Sequence, residues 1–222
     1  MFLEIPEVLT PPELDRLRHL AGAAQFEDGR RSSPHATNKN NLQIDRTDPA
    51  HAESAQILTA ALQRCEAFRN FAMPRAMAPP MLARYAPGMN YGVHADAAFF
   101  PIGPKGLRSD LSCTVFINPP ESYAGGELAI HLGTRVVTFK GPAGSAIVYP
   151  SSTLHEVRPV PSGERLVGLT FIESAIADPA LREIVYELDE VAAREGLNMH
   201  WDNRTRLQCV RNNLRRMWVD KA

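Results

Sequence analysis

The stretch "GPAGSAIVYPSSTLHEVRPVPSGERLVGLTFIESAI", residues 141–176, holds two apolar, β-branched runs, "SAIVYP" and "RLVGLTFI", each bounded by turn residues. Runs of this length flanked by Gly, Pro and Ser read as β-strands. Two side chains do not fit a plain core: His155, just past the first run, and Arg165, which opens the second. A charge entering a strand that should be buried is costly unless it meets an opposite charge, so Arg165 calls for an anion.

Outward from there, residues 80 to 176 repeat the pattern. "PPMLARYAPG", "DLSCTVFINPP", "GGELAIHLG", "TRVVTFKGPAG" and "LHEVRPVPSG" are further short runs, at the spacing of antiparallel strands folded into a sandwich or barrel. The flanks are helical. "TPPELDRLRHLAGAA" offers a capping Thr10, early prolines, and Leu14, Leu17 and Leu20 at helical spacing. A second helix is expected from Asp48-Pro49 through "AHAESAQILTAALQRCEAFRNFA", with Ile57, Leu58, Ala61, Leu62 and Cys65 on one face. After the strands, "DPALREIVYELDEVAAREG", with Leu181, Ile184, Val185 and Leu188, and "NRTRLQCVRNNLRRMWVD" read as two more. The expectation is an α+β fold: a jelly-roll β core over about 80–176 inside a domain of residues 1–177, with flanking N-terminal helices and a C-terminal helical element, 178–222. That element would pack on the barrel or, in a homo-oligomer, on a partner chain.

Composition narrows function by exclusion. The 24 basic and 25 acidic residues leave a formal charge of -1, so no global field favours nucleic acid or an anionic membrane. No apolar run approaches the roughly 18 to 20 residues that a membrane span needs, and "MFLEIPEVLTPPEL" lacks a basic segment followed by a continuous apolar one. Cys65, Cys113 and Cys209 are far apart and in no CxxC spacing, which suits a reducing compartment and speaks against a thiolate metal site. A cytoplasmic location is expected. No glycine-rich phosphate loop occurs, and Ser151 and Ser152 lack the glycine-framed elbow of an esterase.

In "YGVHADAAFF", residues 91–100, His94 and Asp96 stand two apart. In an extended segment both point to the same side, where they can share one ion or simply hydrogen-bond to each other. With His155 the set becomes two histidines and one carboxylate, which on one face of a metal leaves positions open for a co-substrate and oxygen. Glu127 and His131 in "GGELAIH" better suit surface pairing.

His94-x-Asp96, His155 and Arg165 together resemble the signature of the Fe(II)/2-oxoglutarate-dependent dioxygenases. Within that superfamily, "PPMLARYAPGMNYGVHADAA", "RSDLSCTVFINPPESYAGGELAI" and the 141–176 stretch are similar to the bacterial PKHD-type hydroxylases, relatives of prolyl and lysyl hydroxylases. The likeness runs from "IPEVLTPPEL" through "KNNLQI" to the early C-terminal helix. It implies a double-stranded β-helix, with His94, Asp96 and His155 as Fe(II) ligands and Arg165 as partner of the distal carboxylate of 2-oxoglutarate. It further implies O2 as co-substrate, ascorbate as a stimulant, and hydroxylation of an unactivated C–H of an amino acid, peptidyl residue or small metabolite, with release of succinate and CO2. Tyr85, in "LARYAPG", is either a donor to the 2-oxoglutarate carboxylate or a half-buried tyrosine with a wet hydroxyl. The alternative to an enzyme is a cupin-like metal-binding or sensor module, since "GPAGSAIVYPSSTLHEV" also resembles a cupin motif; such a module has no need of Arg165.

Two segments suit neither core nor plain solvent. "HATNKNN" carries amides, including Asn40, together with Lys39, and "AAFFPIGPKGLRSD" carries Phe99 and Phe100 beside glycines. As a lid over the metal they would contact substrate and exclude water; alternatively both phenylalanines pack under their own loop.

Overall fold

The computed structural model describes residues 1–33 and 35–219. Pro34 of the polar stretch and positions 220–222 of the expected helical element lie outside the described residues. The first part of the chain forms β1 (Leu3–Ile5), α1 (Pro11–Ala23), β2 (Phe26–Asp28), β3 (Lys39–Asn40), β4 (Leu42–Ile44), α2 (Pro49–Arg64) and α3 (Glu66–Ala72). The central part forms β5 (Pro74–Met77), β6 (Met81–Tyr85), β7 (Asn90–His94), β8 (Phe99–Phe100), β9 (Leu107–Arg108), β10 (Leu111–Phe116) and β11 (Leu128–Leu132). Then come β12 (Arg135–Phe139), β13 (Ala146–Pro150), β14 (His155–Val157), β15 (Arg165–Ser174), α4 (Pro179–Glu195) and α5 (Trp201–Trp218).

Two antiparallel sheets face each other. The larger runs β1-β13-β10-β15-β6-β4-β2, with β5 also paired to β15; the smaller runs β12-β11-β14-β7-β3. The period of two along each strand divides the apolar side chains between two cores. On β10, Leu111, Cys113 and Val115 face a cluster that includes Leu14, Leu17, Leu58, Leu62 and Phe68 of the helices. Phe116 of the same strand faces the other way, into a cluster between the sheets with Tyr85, Ile130, Ile147, Tyr149 and Val167. Truncating a helix leucine such as Leu58 or Leu62 to alanine would cost about 2–5 kcal/mol. Gly168 on β15 lets α2 approach: a Cβ there would sit 2.7 Å from Leu58 Cδ1.

Each expected run in 80–176 is a strand, and this is the double-stranded β-helix with flanking helices. Three features differ from the expectation. The sheets also recruit β1 to β5, which precede residue 80. The second helix is two, broken at Cys65, whose backbone is extended (φ -74, ψ 112). In one continuous helix Phe71 would point away from the Leu58–Leu62 face; the break turns it inward, leaving it 5% exposed and edge-on to Tyr186. Finally, α4 buries Arg182 and Val185 but leaves Ile184 exposed, with the Arg182 guanidinium donating to Ile176 O at 2.9 Å.

The caps fall where the sequence places them. Asp178 accepts from Ala180 N and Leu181 N at the start of α4, and Asp48 from Ala50 N at the start of α2. At α1, Glu13 accepts from both Thr10 N (2.8 Å) and Thr10 Oγ1 (2.9 Å). The last helix, α5, packs on α4, where Asp189 accepts from Arg211 and Arg215. None of its residues is buried, and Trp201 and Met217 are exposed.

Candidate active site

The smaller sheet brings two histidines side by side. On β7 and β14, His94 and His155 are direct antiparallel partners, and their ring centroids lie 4.2 Å apart. Asp96 follows β7 and is tied down by its own N–H, which donates to Ser151 O at 3.1 Å. Its carboxylate lies 3.8 Å from His94 Nε2 and 3.6 Å from His155 Nε2. These gaps are too long for hydrogen bonds and short enough for one ion to span with bonds of about 2 Å. One ligand atom from each of His94, Asp96 and His155 lies within 4.8 Å of the other two.

The backbone sets the chemistry of both rings. His94 Nδ1 lies 2.8 Å from Gly92 O, and His155 Nδ1 lies 2.8 Å from Thr153 O. A carbonyl can only accept, so each Nδ1 carries the proton and each Nε2 presents a lone pair towards Asp96. Burial, with His155 alongside, pushes the His94 pKa down to about 4, which keeps the ring in its neutral, metal-binding form at pH 7.

A hydroxyl chain orients Asp96 from the larger sheet. Ser112 Oγ on β10 donates to Asp96 Oδ2 at 2.5 Å. Its single proton is thereby committed, so the 2.8 Å contact between Ser112 Oγ and Ser151 Oγ must run from Ser151. Ser109 Oγ in turn donates to Ser151 at 2.8 Å. Neither Ser112 nor Ser109 stands out in the sequence; the available signal is a polar residue at an inward position of the otherwise apolar "DLSCTVF".

Across the interior, Arg165 begins β15 opposite Tyr85 on β6. Its side chain is 1% exposed, and Nε and Nη1 are buried without a hydrogen-bond partner among the described residues. No carboxylate among the described residues pairs with it. The guanidinium carbon sits 5.0 Å from the centroid of the Tyr85 ring. Tyr85 is itself buried, and burial pushes its hydroxyl up to about 12, with Arg165 opposing the rise. Close by, burial pushes the Tyr123 hydroxyl up while the Arg165 guanidinium opposes the rise; nothing in its sequence context marks it. Gly126, at φ +67, leaves room for this group, since a Cβ there would lie 3.1 Å from both Arg165 Cδ and the Tyr123 ring.

The expected substrate residues separate. Phe99 is 67% exposed, whereas Phe100 packs on Phe171 with centroids 4.3 Å apart. The two begin a short hairpin, β8–β9, whose base is closed by Ser109 N donating to Ala98 O. Asn40 is exposed on the outer face of β3 and donates to Gly88 O at 3.2 Å, apart from the histidines. Its neighbour Lys39 alternates to the inner face and is 5% exposed. Glu127 and His131 do not join the cluster; His131 lies 3.6 Å from Glu156 on the strand beside it. All three cysteines are free, and none belongs to the candidate metal cluster.

Comparison with known proteins finds relatives in sequence and in fold. Residues 80–173, which span β6 to β15 and contain all the residues of the cluster, match the family described as the 2OG-Fe(II) oxygenase superfamily. A PKHD-type hydroxylase of Sphingopyxis alaskensis is 48% identical over 202 residues, covering 91% of this chain and 92% of that protein. Another, from Thermosynechococcus vestitus, is 38% identical over 227 residues, covering 99% and 100%. In fold, the chain is similar to a 2OG-Fe(II) oxygenase family oxidoreductase from Burkholderia pseudomallei, with a TM-score of 0.58 at 21% identity over 77% of this chain and 84% of that one.

Proposed function

We propose, for a chain that belongs to the PKHD-type hydroxylases of the 2OG-Fe(II) oxygenase superfamily, that His94, Asp96 and His155 hold Fe(II) and that Arg165 holds 2-oxoglutarate. The reaction is hydroxylation of an unactivated C–H of an amino acid, peptidyl residue or small metabolite, with release of succinate and CO2. Family membership sets aside the non-catalytic module. The observation that carries the site assignment is the pairing of two features: three ligand atoms within 4.8 Å of one another, and a buried guanidinium without an anion.

The donor set fits the metal, since imidazole and carboxylate suit iron and no thiolate competes. The orphaned Arg165 N–H groups and the Tyr123 hydroxyl fit a carboxylate, to which guanidinium offers a planar fork. When bound, Fe(II), 2-oxoglutarate and O2 supply an oxidant able to attack an unactivated carbon. The protein's own part is placement. Gly92 O and Thr153 O fix the tautomers of the two histidines, and Ser112 holds the Asp96 carboxylate by donating to Oδ2. Arg165 neutralises the far end of the co-substrate, with Tyr85 and Tyr123 as neighbouring hydroxyls. Phe100 packs beside Phe171, and the exposed Phe99 ring is the one of the two that would meet substrate. Residues 1–177 act as the oxygenase domain; α1 to α3 share one core with the larger sheet, and Tyr186 of α4 packs against it.

The test is succinate formation from 2-oxoglutarate with Fe(II) and ascorbate. Wild type is expected to form succinate without added substrate, and His155→Ala and Arg165→Ala to lose it. Equal turnover in both variants would remove these residues from the site.

A further inference from the structure

Lys39 is a buried cation that the proposed chemistry does not use. It stands on β3 directly opposite Tyr91 of β7, and its ammonium lies 5.1 Å from the centroid of that ring. Tyr91 and His94 are three residues apart and would face opposite sides of a regular strand. A bulge between the His155↔His94 and Val157↔Tyr91 pairs brings both rings to one side, where they stack at 3.6 Å. Lys39, Tyr91 and His94 therefore share the inner face next to the metal cluster.

The ammonium is poorly satisfied for its depth. Among the described residues its one hydrogen bond goes to Ser32 Oγ at 2.8 Å, and no carboxylate pairs with it. An ammonium has three donors, so two remain open. Burial pushes its pKa down to about 8, with Asp96 and then Asp28 opposing. Asp28 is already engaged by Arg30. In the loaded site, Fe(II) and the 2-oxoglutarate dianion cancel, as do Asp96 and Arg165, while the ligating imidazoles are neutral. Lys39 is left as the unmatched charge in a water-poor interior, and a single negative charge would complete it.

We propose that Lys39 anchors a carboxylate of the molecule to be hydroxylated, so that the substrate is a carboxylate-bearing compound such as a free amino acid, a C-terminal residue or an acidic side chain. This rests on the metal and 2-oxoglutarate assignments above. The distance between the ammonium and the metal cluster then selects which carbon of the substrate faces the iron.

The experiment uses the full-length protein loaded with Mn(II) and saturated with 2-oxoglutarate under nitrogen, so that no turnover occurs. N-acetylglycine and its carboxamide are titrated by calorimetry and by shift of melting temperature. The carboxylate is expected to bind about tenfold or more tighter than the amide. Lys39→Met should abolish that preference while Mn(II) and 2-oxoglutarate binding persist, and Lys39→Arg should keep part of it. If Lys39→Met does not fold, Lys39→Gln, which can still reach Ser32, is read the same way. Equal binding of the two probes to wild type, or a preference that survives loss of the ammonium, overturns the proposal. Failure of wild type to bind Mn(II) or 2-oxoglutarate at all would instead overturn the site assignment beneath it.

Discussion

Arg165→Met separates a guanidinium kept for a ligand from one kept for the fold. Methionine retains much of the aliphatic stem that packs by Gly126 and removes the charge. Without co-substrate, wild type buries a guanidinium that no carboxylate among the described residues pairs with, a cost that methionine does not carry. The ligand-free variant should thus be as stable as wild type or more so, by about 1–3 kcal/mol. With 2-oxoglutarate the order reverses. Losing one partner of a buried charge pair costs about 2–5 kcal/mol, which raises the dissociation constant by about 30-fold or more. Calorimetric melting of the Mn(II)-loaded protein reads both effects. At 100 times the wild-type dissociation constant, 2-oxoglutarate should stabilise wild type by about 2.7 kcal/mol, or roughly 5–10 °C for a chain of this size. The same concentration should give Arg165→Met about 1 kcal/mol or less. A variant that is less stable without ligand, yet keeps the full shift with it, would mean that Arg165 serves the fold and not the ligand.

Ser112→Ala removes the 2.5 Å bond to Asp96 and should weaken Fe(II) binding about 10- to 100-fold while the circular dichroism spectrum is unchanged; unaltered affinity would show that Asp96 needs no such support. Glu13 is held down to about 2, chiefly by its hydrogen bonds with Arg64 and further by Thr10. A carboxyl whose folded pKa lies below its unfolded value of about 4.3 contributes stability above that value and loses it as pH falls towards 2. Glu13→Gln should therefore cost about 1 kcal/mol in urea unfolding at pH 7, with the gap closing by about pH 2; a gap constant across pH would contradict this. Phe99→Ala should lower substrate-coupled turnover with little change in melting temperature, because the ring is 67% exposed, and a large loss of stability would return it to a packing role.

Much of the fold is legible in the sequence because the strands of the core obey local rules. "SAIVYP" and "RLVGLTFI" are β-branched, bounded by Gly, Pro and Ser, and too short for helices. The helix caps at Asp48 and Asp178 are equally local. What escapes the sequence depends on register. β3 is two residues long and its partner strand is bulged, so no periodicity reveals that Lys39 faces inward and Asn40 outward. The break at Cys65 follows from where Phe71 must be buried, a tertiary demand with no Gly or Pro to announce it. The candidate site divides in the same way. Residue types and spacing single out His94, Asp96, His155 and Arg165, but Ser112 and Tyr123 gain their places only when the two sheets face each other.

The central claim, that one Fe(II) is held by His94, Asp96 and His155, is met most directly by anaerobic Fe(II) titration of wild type and Asp96→Ala, each checked for fold by circular dichroism. One Fe(II) per wild-type chain is expected, with loss of that site in the folded variant. Absence of stoichiometric binding in wild type, or the same affinity in Asp96→Ala, would contradict it.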